Sequence, residues 1–266
     1  LGVHMTYVKA EADYGTAGSV RNATKGLNER LLVISGDVLT DFDLSRAIRF
    51  HEERKALATI VLTHAKNPLQ YGVVITAEDG RITRFLEKPS WGEVFSDTIN
   101  TGIYILEPEV LEMVPYREDV DFGKDLFPQL LRQNAGLYGY VADGYWRDVG
   151  NLNEYQEAHY DALQGSVHVE VEGERHGSLY IGEGTSYQPD ELKVRVMVLV
   201  GKNCTIGDHV TLSNTVIGDN CVIGPGTMLS NCVLWSDIVI GHSCELSSDV
   251  IGSKCSIGEK TVIAEN

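Results

Sequence analysis

No apolar run in the chain approaches the roughly eighteen residues needed to cross a bilayer, so a membrane span is not expected. Positive charge is scarce. Lysine and arginine total 22 against 38 aspartates and glutamates, a formal charge of −16. A surface that negative repels phosphate backbones, which argues against a nucleic-acid partner. A phosphate-bearing ligand would need a local pocket of positive charge or a bound cation. Cysteines are few and odd in number, five, with no C-x-x-C pair. Free thiols in a reducing, cytoplasmic compartment are therefore expected. The N-terminus, Leu1-Gly2-Val3-His4-Met5, shows no basic segment followed by a long apolar stretch, so no signal peptide is visible. It also has no methionine at position 1, and the expectation is a piece of a longer protein.

What is present is an ordinary globular balance: 266 residues, 43% hydrophobic and 23% charged, enough for two domains. Residues 1–163 alternate between strand and helix patterns. Leu31-Leu32-Val33-Ile34-Ser35 reads as a strand buried on both faces. Residues 43–55 place Leu44, Ala47, Ile48 and His51 at helical spacing behind Asp43 as N-cap. Residues 58–63 return as a β-branched strand, which makes an α/β unit, most simply with parallel strands. Residues 72–75 and 81–85 read as a hairpin, 102–106 as a strand, and 124–134 and 151–163 as helices. Residues 164–176 are the expected linker.

From about residue 177 the helical signal stops and a 17-residue repeat begins. Val200-Gly201, Ile217-Gly218 and Ile251-Gly252 keep that register, with Leu234 in the remaining place. Ile206, Ile223, Ile240 and Ile257 form a second column, Leu212, Leu229 and Leu246 a third, and Cys204, Cys221, Ile238 and Cys255 a fourth. A coil that cannot bury its inner face alone must stack on its neighbours. A column that accepts Cys or Ile reads as small buried packing rather than metal ligation. The repeat resembles hexapeptide repeats, which wind as a left-handed parallel β-helix. About four coils are expected, with glycine at the tight corners. Residues 261–266 contain no capping helix, so the last coil is expected to meet either a second copy or a further C-terminal domain.

Several short motifs can carry chemistry. Gly15-Thr16-Ala17-Gly18 precedes a helix expected at 18–25, where glycine permits close approach and a helix start offers free amides. Ser35-Gly36-Asp37 follows the first strand at its carboxyl end, where open α/β sheets bind ligands and where a carboxylate can hold a hard cation. The alternative reading of Asp37 is a turn residue. Tyr71-Gly72-Val73 is followed by Phe85-Leu86-Glu87-Lys88-Pro89, whose adjacent carboxylate and ammonium point to different sides of a strand end. Asn100-Thr101-Gly102 enters a strand, and Trp146-Arg147-Asp148-Val149-Gly150 supplies a second candidate metal carboxylate. Asp121-Phe122-Gly123 spells a kinase triplet without the rest of a kinase signature, and is set aside. His209 and His242 suggest an acyltransferase only in a longer β-helix.

GTAG, SGD, YGVV, FLEKP, NTGIYILEP and WRDVG occur in the order seen in sugar-phosphate nucleotidyltransferases, and together the chain resembles that family. It is most similar to bacterial mannose-1-phosphate guanylyltransferases carrying a C-terminal hexapeptide-repeat domain. Thymidylyl-, uridylyl- and adenylyltransferases acting on glucose 1-phosphate share most of these motifs, and a non-catalytic regulatory relative is a further alternative. The resemblance implies a Rossmann-like nucleotidyltransferase domain followed by a left-handed β-helix. It implies in-line attack of a sugar 1-phosphate on the α-phosphate of an NTP, with GTP and mannose 1-phosphate favoured. It also implies Mg²⁺ on Asp37 and Asp148, Lys88 on the sugar phosphate, and Glu87, Gly72, Asn100 and Thr101 at the sugar. Gly15 is implied beside the nucleotide. One element of the family pattern, a G-x-G-T-R-L-x-P loop for the triphosphate, does not occur in residues 1–266. The chain thus resembles such an enzyme without its first quarter, and residues 1–266 alone are expected to show negligible turnover.

Overall fold

The computed structural model describes residues 2–264. The chain forms two compact units, Leu1–Trp146 and Arg147–Asn266.

The first unit contains α1 (Gly15–Ala23), β1 (Leu31–Ile34), β2 (Val38–Thr40), α2 (Leu44–Arg54), β3 (Ala58–His64), β4 (Gly72–Thr76) and β5 (Ile82–Glu87). It continues with β6 (Thr98–Leu106), α3 (Pro108–Glu112), α4 (Phe127–Arg132) and β7 (Leu137–Val141), and β8 (Trp146–Asp148) straddles the boundary. Helix α2 begins where its cap predicts: Asp43 Oδ1 accepts hydrogen bonds from the Ser45 and Arg46 amides at 3.1 and 3.3 Å. The main sheet runs β5-β4-β6-β3-β7, with β1 also paired to β6.

This sheet is mixed. Both β1 and β3 are antiparallel to β6, which lies between them: Leu106 is opposite Leu31 on one side and Ala58 on the other. The simple parallel neighbour pair expected from the strand–helix–strand order is therefore not formed. β3 instead has its parallel neighbour in β7, a strand the sequence pattern did not reveal. Nor is β1 buried on both faces. Leu32 and Ile34 are 42% and 45% exposed, while Leu31 and Val33 pack against the core. Its uniformly apolar composition hides an alternation that its neighbours impose. The core under the sheet is aromatic: Phe85, Tyr104, Phe122 and Phe127 pack with ring centroids 4.8–5.7 Å apart.

The second unit contains α5 (Leu152–Gln164), β9 (Glu174–His176), β10 (Leu179–Ile181), β11 (Lys193–Val200), β12 (Thr205–Ile206), β13 (Thr211–Ile217) and β14 (Val222–Ile223). It ends with β15 (Met228–Ser230), β16 (Val233–Leu234), β17 (Val239–Ile240), β18 (Glu245–Ser247), β19 (Val250–Ile251), β20 (Ser256–Ile257) and β21 (Val262–Ile263). Helix α5, read from the sequence as the end of the first domain, groups with this unit. Gln156 Nε2 donates to the Asn231 carbonyl at 3.1 Å, and Tyr155 meets Trp235 edge-on.

Strands β10 to β21 wind as a parallel solenoid whose ladders link residues 17 apart, except in the first ladder and in the Lys193–Arg195 part of β11, where a register shift makes the spacing 18. Ile206 pairs with Ile223, Ile223 with Ile240 and Ile240 with Ile257. One face stacks five rungs, from β10 through β11, β13 and β16 to β19, one more than the repeat suggested. Ile181 pairs beneath Val200, a spacing of 200 − 181 = 19, so the extra residues mask that rung in the sequence.

The corners also differ from expectation. Left-handed backbone is taken by Asn203, Asn220, Asp237 and Lys254, with φ between 55° and 66°. Asn and Asp tolerate that region better than other side-chain-bearing residues. The repeat glycines serve stacking instead: a Cβ on Gly224 would lie 2.5 Å from the Gly241 backbone of the next coil. Cys204, Cys221, Cys232 and Cys244 are buried free thiols, and Cys255 is exposed. No cluster of metal-ligating side chains occurs among the described residues. Within the last segment, 261–264 hold only β21; Glu265 and Asn266 lie outside the described residues.

Candidate active site

The strongest constellation in the first unit surrounds Glu87, the last residue of β5. Gly72 of β4 is its cross-strand partner. A Cβ on Gly72 would lie 2.7 Å from Glu87 Oε2, and one on Gly123 would lie 2.5 Å from the same atom. Two glycines thus form a slot that only a bare backbone leaves open. Oε2 is buried and has no hydrogen-bond partner. Burial pushes the Glu87 carboxyl above its ordinary pKa, and the nearby Asp121 carboxylate adds to the rise; Lys88 and Lys124 oppose it. A buried carboxylate without a donor is costly, and such a group asks for a ligand hydroxyl.

Lys88 follows with φ +46, and its amide donates to the Tyr71 carbonyl at 3.1 Å. The left-handed backbone turns the chain at the strand end, so Glu87 is half-buried while Lys88 is exposed. Adjacent opposite charges are thereby separated: a carboxylate in the slot and an ammonium at its rim.

Asn100 lies on β6. Its Nδ2 donates to the Tyr104 hydroxyl at 3.1 Å and its Oδ1 accepts from the Gly102 amide at 3.0 Å. Tyr104 is itself buried, and the Glu87 and Asp121 charges reach its hydroxyl. Gly102 has φ +77, and a Cβ there would fall 2.7 Å from Ser35 Oγ. That close approach, with the Ser35 amide donating to the Gly102 carbonyl at 3.0 Å, joins the SGD loop to the NTG segment. Asp37 in this loop is exposed. The Thr101 side chain is committed inside the protein. It is 1% exposed, and its hydroxyl donates to the Val61 carbonyl at 2.7 Å. Its carbonyl accepts the Trp146 indole N–H at 3.0 Å, so Thr101 positions its neighbours.

Gly15 opens α1, three residues earlier than the sequence suggests. The amides of Ala17 and Gly18 both donate to the Val120 carbonyl, at 2.9 and 3.1 Å, so these helix-start amides are spent inside the protein. A Cβ on Gly15 would lie 2.7 Å from that carbonyl. The glycines of GTAG thus let α1 close on the 118–122 segment.

That segment is what the sequence reading set aside. Asp121 has no kinase role, yet it organises the site. Its Oδ1 caps the turn at Gly123 and Lys124, accepting at 2.8 and 3.0 Å, and its Oδ2 accepts from Thr16 Oγ1 at 3.0 Å. The capped turn is a π-type one at Phe122–Leu126, and it carries Gly123 against Glu87. The available signal was an aspartate two residues before a glycine at the start of an apolar helical stretch. Asp148 closes β8 and is half-buried, beyond the boundary of the first unit; Arg147 beside it pairs with Glu154 and with Asp161, the latter at 2.8 Å. The donor chemistry of Asp37, a hard carboxylate oxygen, suits Mg²⁺ when substrate phosphates complete the shell.

Comparison with known proteins gives two family matches. The family described as "Nucleotidyl transferase" matches residues 1–165. The "EIF2B subunit epsilon LbH domain" family matches residues 176–266, which identifies the solenoid as a left-handed β-helix. A UTP–glucose-1-phosphate uridylyltransferase of Synechocystis is 32% identical over 232 residues, 79% of this chain and 60% of the relative. A mannose-1-phosphate guanylyltransferase of Mycobacterium tuberculosis is 32% identical over 219 residues, 82% and 60% respectively. A mannose-1-phosphate guanyltransferase beta-B of Xenopus laevis is 33% identical over 210 residues, 77% and 55% respectively. The chain therefore spans about 60% of the length of curated relatives it matches.

Proposed function

Because the chain belongs to the nucleotidyl transferase family, we propose that the protein transfers a nucleoside monophosphate from an NTP to a sugar 1-phosphate, releasing pyrophosphate. The observation that carries this reading is the buried, partnerless Glu87 Oε2 in its two-glycine slot with Lys88 at the rim. The carboxylate accepts from sugar hydroxyls, and the ammonium neutralises the phosphate of the same molecule. Asn100, with the Tyr104 hydroxyl, forms the polar wall beside the slot. Their contribution is positioning and charge balance, which suffices for an in-line displacement with no covalent intermediate on the protein.

Asp37 would hold Mg²⁺ together with the substrate phosphates. The ion would supply charge neutralisation on the phosphates that a chain of net charge −16 otherwise lacks. GTP and mannose 1-phosphate are the proposed pair, supported by the guanylyltransferases among the relatives. UTP and glucose 1-phosphate are the second reading, favoured by the equally similar uridylyltransferase.

Binding is a direct test, since it interrogates the Glu87 slot without requiring turnover. Calorimetric titration of residues 1–266 with mannose 1-phosphate and with glucose 1-phosphate should show tighter binding of the former. Glu87→Gln should weaken it about tenfold, the scale of one charge-assisted hydrogen bond. Binding of neither ligand, or binding indifferent to Glu87→Gln, would remove the basis for the proposal.

A further inference from the structure

A second polar cavity lies wholly within the second unit, between α5 and one corner of the β-helix. It measures about 530 Å³. From α5 it is lined by Gln156, Glu157 and Tyr160; from the β-helix by Asn214, Asn231 and Ser248, which stack 17 residues apart at one corner. None of these residues belongs to the Glu87 site.

Its lining is unusual in what it leaves unpaired. Tyr160 is 7% exposed, and its hydroxyl is buried with no hydrogen-bond partner. Asn214 Oδ1 is likewise buried without a partner, although its Nδ2 donates to Asn231 Oδ1 at 3.0 Å. Gln156 Nε2 is committed to the Asn231 carbonyl. The residues that line the cavity therefore include a buried O–H group and a buried amide oxygen, on two different elements, that no protein group pairs. A group that both donates and accepts satisfies the pair, and an alcohol is the simplest such group.

Charge narrows the class. Among the described residues, no lysine, arginine or histidine lines the cavity, which argues against phosphates and carboxylates. Of its two carboxylates, Asp161 is already held by Arg147, through Nε at 3.1 Å and Nη2 at 2.8 Å. Glu157 remains as a further acceptor. Amide and carboxylate acceptors with a hydroxyl donor suit an uncharged polyhydroxylated molecule, and the volume suits a single ring.

We propose that this cavity is a binding site for an uncharged monosaccharide or cyclic polyol, separate from the site that binds the sugar phosphate. Saturation-transfer-difference NMR on the full 266-residue chain tests it, with D-mannose, D-glucose and myo-inositol as probes and mannose 1-phosphate and ethanolamine as charged comparators. At least one neutral probe should bind, and its signal should survive Glu87→Gln. Asn214→Gly and Tyr160→Phe should each weaken it about tenfold. Asn214 has φ +47, so glycine keeps the corner without strain. Tyr160→Phe removes a partnerless hydroxyl and should leave the melting temperature equal or higher. The proposal is overturned by absence of any neutral-probe signal, by loss of that signal in Glu87→Gln with none in Asn214→Gly, or by stronger binding of either charged comparator at this cavity. A lower melting temperature in Tyr160→Phe would also overturn it, because the hydroxyl would then have a partner in the protein.

Discussion

Glu87 is held against its own preference. Its raised pKa means the folded protein binds that proton more tightly than the unfolded chain does. Ionising it therefore costs stability as pH rises from the ordinary value of 4.5 through the raised one, and the full cost is present above that window. Glu87→Gln should accordingly raise the melting temperature at neutral pH and change it little at about pH 4, while weakening sugar-phosphate binding. A variant that loses both stability and binding would show that the carboxylate is a structural anchor. His51 acts in the opposite sense. It is fully buried on α2, with Nδ1 2.8 Å from Thr59 Oγ1 and Nε2 3.0 Å from Glu107 Oε1, which also accepts from Arg30 at 2.7 Å. Burial lowers its pKa from 6.5 more than the Glu107 hydrogen bond raises it, with Arg30 adding to the fall and Glu52 opposing it. Neutral His51 then donates from Nε2 to Glu107 and accepts from the Thr59 hydroxyl. Its contribution is present above pH 6.5 and lost as pH falls through the lowered value, so wild-type melting temperature should drop as pH falls from 7 to below 6.5. A His51→Gln variant should show a shallower drop over the same range in differential scanning calorimetry.

Elements explain which parts of this were legible in the sequence. Helix α2 was, because Asp43 and the spacing of Leu44, Ala47 and His51 are local signals. The β-helix register was, because each column repeats the same chemistry at a fixed interval. The mixed order of the main sheet was not: β6 is inserted between β1 and β3 by pairings 34 to 75 residues distant in sequence. The site was legible in its chemistry and hidden in its construction. Glu87, Lys88 and Asn100 stood out as residue types, while Thr101 looked like a binder and is buried structure. Gly123 showed no signal of its own, because its importance is the space it leaves beside a side chain 36 residues away. That space gives an element-scale prediction. Gly123→Ala clashes with the flexible carboxylate end of Glu87 and meets Asp121 Oδ1 only at ordinary contact, 3.4 Å, so the turn should fold normally and sugar-phosphate affinity should fall about tenfold, as for a lost charge-assisted bond. Gly72→Ala confronts Phe85 Cζ at 2.8 Å as well, in the aromatic core. It should therefore lower the melting temperature too, roughly 1–3 kcal/mol of overpacking. Equal stability losses in the two variants, measured by urea unfolding, would contradict the slot geometry.

At the scale of the whole molecule, the β-helix is the part whose energetics depend on position along a line. Each coil touches only the coils beside it, so the cost of a truncation depends on how many neighbours the lost methylenes had. Ile206, Ile223, Ile240 and Ile257 allow this to be read with one residue type in one column. Ile223 and Ile240 are each 1% exposed and carry a paired isoleucine on both sides. Ile223→Ala and Ile240→Ala should each cost roughly 2–5 kcal/mol, the range for a large-to-small change in a packed interior. Ile257 is only half-buried and pairs with Ile240 alone among the described residues. Ile257→Ala should cost less than half as much, because much of its surface is already in contact with solvent and a smaller cavity is left behind. Urea denaturation of the three variants, followed by far-ultraviolet circular dichroism, separates the cases. If Ile257→Ala proved as damaging as Ile223→Ala, the last coil would be covered in solution, and the end of the stack would be an interface rather than a surface.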